Sequence, residues 1–408
     1  MKNIKIYLLA ISIFILAGCS AQTVDAPEVD TDVTIVEGQE VIVDEIEEVE
    51  PEIVEPEIIE PIIPEDQVTT LVFGGDNLIH SAVYRNAKTD DGYDFTPLYE
   101  NIAPYFRDAD IAMINEETVI NDLYAPATYP RFSTPIQMAD NLIDMGIDII
   151  TVANNHVFDV NADGLQNSLE YFRDNTDILT VGAYLNQEEY DDIRLIEENG
   201  TTFSFVAATE LTNGLSISSS SELVLMLTGN EEEFLSRIAK ADEISDVVIV
   251  NVHWGYEYHN SPNDMQIDLA QKMTDAGADI IIGHHPHVIQ PIEYVTTDAG
   301  NTSLVVYSLG NLISAQSEIP RMIGGLVEIE VTTSYSDEIT YQASVSNCEF
   351  IPIVTHYTSG YNNLVSYPLS MYTDEILATH GLRTSSFTIE YINNYVSNII
   401  DQQFLSIP

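Results

Sequence analysis

One pattern constrains this chain more than any other. Five times, a short apolar run rich in β-branched residues stops abruptly in side chains that can hold a metal. Leu71-Val72-Phe73-Gly74-Gly75 leads into Asp76, and residues 111–114 lead into Asn115-Glu116-Glu117. Residues 149–153 lead into Asn154-Asn155-His156, 247–252 into His253-Trp254-Gly255, and 280–283 into His284-His285-Pro286-His287. Such runs, bounded by Gly or polar residues, read as buried strands. Between them, residues 97–106, 136–145, 162–172, 231–241 and 264–276 have a helical period, the last with Asn263 as its N-cap. Strands alternating with helices predict an α/β fold with a largely parallel sheet, and sites in such sheets lie beyond the carboxyl ends of the strands. All five polar clusters fall at that end.

The clustered side chains are Asp, Glu, Asn and His, a set that suits zinc, iron or manganese. Cysteine does not contribute: Cys19 and Cys348 are the only two, which excludes a disulfide framework and a thiolate zinc site. Three of the nine histidines stand at 284–287. Unpaired imidazoles are costly to bury at a strand end, so this group reads as a metal site. His259, His356 and His380 lack such context and read as ordinary, while His80, four residues past Asp76, is intermediate. A carboxylate can bridge two ions, and two ions about 3.5–4 Å apart would clamp both oxygens of a phosphoryl displacement. Trp254 and Glu257 either shape the pocket and order His253 or, for the tryptophan, fill the core. Asp159 either orients His156 or starts the following loop. Ser308-Leu309-Gly310-Asn311 reads as a tight turn with Asn311 facing the site.

The segments GGDNLIH, NEE, ANNHVFD, HWGYE, GHHPH and SLGN, in this order over about residues 71–312, resemble the CapA-type poly-γ-glutamate capsule-synthesis proteins. That family is similar to the calcineurin-like metallophosphoesterases. The resemblance implies a metallophosphoesterase-like sandwich of two β-sheets flanked by helices, with one or two divalent ions (manganese, iron or zinc). It implies Asp76, Glu117, Asn155, His253, His285 and His287 as ligands, with Glu117 bridging and His156 as the acid beside the leaving group. His284 could replace one of the last pair, and Asn115, Glu257, Asn311 and Asp159 could be ligands or supports. Leu78 departs from the pattern, because the family relative carries a second ligand there, and Glu117 is longer than the usual bridging aspartate.

The ends carry other signals. Lys2 and Lys5 precede an apolar run and Leu16-Ala17-Gly18-Cys19, the form of a bacterial lipobox. Residues 1–19 are therefore expected to be a leader cleaved before Cys19, whose diacylglyceryl group would anchor the chain outside the cytoplasm on the cell membrane. Residues 20–66 hold 17 acidic side chains, no basic ones and repeated prolines, and read as an extended spacer. Residues 67–350 are expected to form the metallophosphoesterase-like domain and 351–408 a partly helical extension, with an apolar stripe at Phe387, Tyr391, Tyr395 and Ile399. Of the 66 acidic and 13 basic residues, 17 and 2 lie before residue 67, which leaves the body at −38. That charge excludes a general nucleic-acid binder.

Two functions fit these readings. The first is a metal-dependent hydrolase acting on a phosphoester or a γ-glutamyl amide, with Arg131 and Arg321 as the nearest cationic contacts. The second is a non-catalytic, metal-dependent factor that binds, exports or anchors an anionic capsule polymer, with membrane-bound synthesis proteins as partners.

Overall fold

Alternation along the central strands sets the layers. The computed structural model describes residues 63–405 apart from positions 338 and 383, so the expected leader, Cys19 and nearly all of the acidic stretch lie outside the described residues. The first sheet opens with β1 (Gln67–Asn77), β2 (Ile111–Glu116), β3 (Ile149–Thr151) and β4 (Leu179–Val181). The second holds β5 (Arg194–Glu198), β6 (Thr201–Thr209), β7 (Val247–His253), β8 (Ile280–His284), β9 (Ile292–Thr296) and β10 (Thr302–Val306). The chain then returns to the first sheet with β11 (Asn311–Ile313), β12 (Ile323–Tyr335), β13 (Tyr341–Thr358) and β14 (Asn362–Pro368). The orders are β14-β13-β12-β1-β2-β3-β4, with β11 beside β1, and β9-β10-β8-β7-β6-β5. Both sheets are parallel at the strands that carry the polar clusters. The flank β12–β14 is antiparallel, an addition to the expected parallel pattern.

Helices α1 (Gln137–Met145) and α2 (Asn161–Asn175) pack on the first sheet side, and α3 (Glu231–Ile244) and α4 (Asp264–Asp275) cover the second. In β7, Val247 and Ile249 enter the core shared by both sheets, whereas Val248, Val250 and Val252 enter the core beneath α3 and α4. β8 repeats this, with Ile280 and Ile282 on the shared face and Ile281 under the helices. A period of two therefore brings His253 and His284 to the shared face at the strand ends. The fold is the expected sandwich of two sheets flanked by helices.

Local chemistry explains the helix ends. Asn263 accepts from the Gln266 amide at 2.9 Å, and the Gln266 side chain accepts from the Asn263 amide at 3.0 Å, a reciprocal cap on α4. The helix expected over 97–106 is instead two short ones, Thr96–Tyr99 and Ala103–Arg107. Pro104 cannot supply the amide that a continuous helix needs there. The expected boundary at 350/351 falls inside β13, so residues 351–358 belong to the first sheet, as does β14. The tail forms α5 (Ile389–Ser397), which buries Ile392 and Val396. Of the expected stripe, Phe387 is buried, and Tyr391, Tyr395 and Ile399 pack partly buried against the core, the two tyrosines stacking 6.1 Å apart, while Ile392, Val396 and Ile400 are buried most deeply. Among the described residues, no helix is long and apolar enough to cross a membrane.

Trp254 belongs to the core on the helix side. It is fully buried, stacks 5.8 Å from Tyr307 and donates Nε1 to the Tyr307 carbonyl at 3.0 Å. Gly283 lies against the same pair: a Cβ there would stand 2.0 Å from the Tyr307 oxygen and 2.4 Å from the indole nitrogen. Gly283→Ala should therefore destabilise the protein by about 3 kcal/mol. Gly229→Ala, where a Cβ meets nothing within 4 Å, should change stability by less than about 0.5 kcal/mol. Urea unfolding checks both, and equal midpoints would refute the close approach.

Candidate metal centre

The same alternation sorts the NEE segment. Asn115 and Glu117 face the gap between the sheets, while Glu116 turns away. Glu116 accepts from Asn77 Nδ2 at 2.6 Å and Thr118 Oγ1 at 3.2 Å, and the Tyr99 hydroxyl donates to Asn77 at 2.5 Å. Burial pushes the Glu116 carboxyl up to about 8 despite those donors. Asp76 is fully buried and accepts from Asn115 Nδ2 at 2.8 Å. His287 Nδ1 lies 3.0 Å from its second oxygen, and His284 Nδ1 lies 3.5 Å from its first. Burial alone would raise the Asp76 carboxyl, but hydrogen bonds from His284 and His287 hold it well below the usual range.

Glu117 differs from Asp76, whose two oxygens both accept hydrogen bonds. It is fully buried, and neither carboxylate oxygen has a hydrogen-bond partner among the described residues. His287 Nε2 approaches to 3.6 Å and His253 Nε2 to 3.9 Å. Burial drives its pKa well above the ordinary value, with neighbouring Asp76 adding to the rise. A carboxylate in this position calls for a cation.

The surrounding donors suit one. Glu117, His253 and His285 bring ligand atoms within 4.8 Å of one another, as do Asp76, Glu117 and His287, and Glu257, His285 and His287. Glu117 is common to the first two groups, the position of a bridging ligand. Asn155 Oδ1 lies 3.1 Å from His253 Nε2 and so borders the first group. Burial, then the charge of His285, lowers the His253 pKa well below its ordinary value. Burial, then His287, takes His285 down to about 4. Both imidazoles are thus neutral near pH 7, with lone pairs to offer a metal. Burial alone would lower His287 as well, but Glu117 and Asp76 outweigh it and raise it to about 9. The donor set of carboxylates, amide and imidazoles fits a divalent transition ion.

The remaining predicted residues divide by what they touch. His284 sits behind the ligand groups, between Asp76 and Asn251 Oδ1 at 3.3 Å, and takes part in none of the three. His285 and His287 have φ of +98° and +56°, and Tyr258 has +66°. Left-handed backbone at three bulky residues is strain held in place by the surrounding fold. Asn311 donates to the carbonyls of His287 at 3.3 Å and Arg321 at 3.0 Å, and clamps the histidine loop. Gly75 lets that turn close, since a Cβ there would meet the Gly310 oxygen at 2.0 Å. Asp159 Oδ2 lies 2.7 Å from His156 Nδ1 and also accepts from the Phe132 amide at 2.7 Å. Leu78 is buried and its side chain offers no ligand atom. His356 pairs with the Tyr372 hydroxyl at 2.8 Å, and His380 accepts from the Leu382 amide at 2.9 Å, both outside the centre. His259 is exposed.

Sequence reasoning missed three contributors. Asn154 donates to the Glu116 carbonyl at 2.9 Å and accepts from the His156 amide at 3.1 Å, fixing the turn that aims His156. Phe132 packs edge-on to His156 at 4.7 Å, and Asn213 Nδ2 lies 3.4 Å from its Nδ1. Asn154 could have been found from its place in the cluster. Phe132 and Asn213 come from loops with no local signal.

Residues 70–316 match the family model described as "Bacterial capsule synthesis protein PGA_cap". The chain is 32% identical over 258 residues to "PGA biosynthesis protein CapA" of Bacillus subtilis (strain 168), covering 62% of this chain and 64% of that one. It is 29% identical over 262 residues to "Capsule biosynthesis protein CapA" of Bacillus anthracis, covering 62% and 61%. The matched region thus spans less than two thirds of either relative. Among solved structures, Haemophilus influenzae NAD nucleotidase (NadN) is similar at 11% identity and a TM-score of 0.42, over 85% of this chain and 58% of that one. The 5'-nucleotidase precursor from Thermus thermophilus is similar at 14% identity and a TM-score of 0.39, over 68% and 54%.

The unpaired carboxylate yields a direct expectation. Manganese at about 100 times its Kd should stabilise the wild type by about 2.7 kcal/mol, read as a rise in Tm. Glu117→Gln should lose most of that gain and most of the bound metal by elemental analysis. Equal metal content in the two proteins would show that Glu117 is not a ligand.

Proposed function

This chain belongs to the bacterial capsule synthesis PGA_cap family, and from that premise we propose that it is a metal-dependent hydrolase of the cell surface. Its proposed substrate is a phosphoester or γ-glutamyl amide bond in the making or processing of an anionic capsule polymer. The supporting observation is the His156–Asp159 pair, 2.7 Å apart, next in the chain to Asn155, whose Oδ1 lies 3.1 Å from His253 Nε2. A purely binding site has no need of an oriented acid.

The residues divide the work. Asp76, Glu117, Asn155, His253, His285 and His287 would hold one or two divalent ions. An ion there would supply Lewis acidity toward the oxygens of the scissile group. Asp159 accepts the Nδ1 proton of His156 at 2.7 Å and fixes the tautomer. With Nδ1 so engaged, Nε2 is the nitrogen that would take a second proton, and the imidazolium would pass that proton from Nε2 to the leaving group. Phe132 against the ring keeps that nitrogen aimed. Asn115 and His284 hold Asp76 in place from the side away from His287. The leader, Cys19 and the acidic spacer support a lipid-anchored, extracytoplasmic location.

A second reading follows from Leu78, which leaves one ligand position of the related enzymes without a donor. In that reading the centre binds or tethers an anionic polymer through its metal, with membrane-bound synthesis proteins as partners, and cleaves nothing. Turnover separates the two. His156→Ala should lower kcat by about 10²–10⁴-fold with metal content unchanged, and Asp159→Asn should lower it less while altering its pH profile. Absence of hydrolysis of any phosphoester or γ-glutamyl amide by the metal-loaded wild type would remove the hydrolase reading.

A further inference from the structure

We propose that Arg321 is the anion-recognising residue of this site, taking a carboxylate or phosphate group of the substrate that lies beside the metal ligands. The proposal rests on the reading of the centre given above and names how it distinguishes its substrate. The guanidinium carbon of Arg321 stands 3.4 Å from the ring centroid of Tyr258, and that ring lies 6.1 Å from the ring of His287. The Asn311 amide donates to both the His287 and Arg321 carbonyls, at 3.3 and 3.0 Å. One side chain therefore sets the spacing between the arginine and a candidate ligand. Gln316 closes the ring of contacts: it accepts from Asn311 at 3.0 Å and donates to the Tyr258 hydroxyl at 3.4 Å. The Tyr258 amide donates to the Pro286 carbonyl at 2.7 Å, which ties the stacking platform to the histidine loop.

The guanidinium is held but not saturated. Among the described residues its Nε is buried without a hydrogen-bond partner, and it meets the acid Glu318 at 3.1 Å, whose side chain is 65% exposed. Such a counterion is readily displaced by a ligand anion. A planar fork stacked on an aromatic ring is pre-organised for two parallel bonds to a carboxylate or phosphate. Arg131, the other cation expected near the site, is engaged elsewhere, donating to the Phe158 carbonyl and Asn161 Oδ1 at 3.3 Å each. In a chain with 13 basic against 66 acidic residues, an arginine at this rim offsets the field that would otherwise repel an anionic substrate.

Titration calorimetry on the manganese-loaded full chain tests this with three probes. A γ-linked glutamate trimer carries carboxylates, tripolyphosphate carries phosphates, and inorganic phosphate is the single-anion control. Arg321→Met should weaken one of the two polyanions by about tenfold or more, with metal content and inorganic phosphate binding unchanged. Arg321→Lys should recover only part of that loss. Glu318→Gln, which removes the competing acid, should tighten the same probe, and the probe that responds identifies the anion. Three results would overturn the proposal: unchanged polyanion affinity in Arg321→Met, no polyanion binding by the wild type, or loss of metal in Arg321→Met. Arg321-dependent binding would uphold the proposal even where the metal-loaded wild type hydrolyses no phosphoester and no γ-glutamyl amide, the separate result that removes the hydrolase reading.

Discussion

The carboxylate of Asp76, at the end of a strand in the first sheet, meets His284 and His287 from the second across the gap between them. Everything at the centre depends on that contact. It brings the carboxyl ends of the two sheets together with charge and hydrogen bonds where apolar packing stops. It also aligns Glu117 with His253 and His287, so acids and imidazoles from strands far apart in sequence share one buried volume. Water cannot screen charges there, so burial first and neighbouring groups second shift the pKa values of Glu117, His253 and His285.

This arrangement is complete for Asp76 and incomplete for Glu117. Asp76 has donors on both oxygens, whereas Glu117 has none among the described residues. A buried acid without partners is tolerated when something outside the chain completes it. Neutral His253 and His285, the strained backbone at His285 and His287, and the shared position of Glu117 all converge on a cation. Near this centre the chain holds the His156 imidazole against Asp159 and stacks the Arg321 guanidinium on Tyr258. The loop from Trp254 to Asn263 serves both layers. Its tryptophan anchors in the helix-side core, and Tyr258 reaches the site. Asn260 donates to the Tyr395 hydroxyl at 2.6 Å, which ties the tail helix to the same loop.

Much of this was legible in the linear chain. Strand ends are marked by where β-branched runs stop, and that mark needs no tertiary knowledge. The resemblance singled out Glu117 over Glu116, and the structure supplies the reason, because successive residues face opposite ways. Other features were harder to read. The helical period over 97–106 is interrupted ahead of Pro104, where a missing amide outweighs apolar spacing. The antiparallel flank β12–β14 passes beyond the family match at residue 316, and nothing in its alternating pattern says which sheet edge it will join.

The sequence by itself determined which residues could ligate and that they would gather at one end of a sheet, because apolar periodicity and ligand chemistry are properties of short segments. Only the tertiary structure decided between His284 and its neighbours. His284 ends β8 and lies against Asp76, whereas the turn after it sends His285 and His287 toward Glu117, and that choice is made by backbone dihedrals and by the Asn311 clamp from another strand. It also engaged Arg131 with Phe158 and Asn161 and stacked Arg321 on Tyr258, and it assigned Trp254 to the core rather than the pocket. Each of those outcomes depends on what packs against a side chain, and packing partners are set by the meeting of segments that the sequence holds far apart.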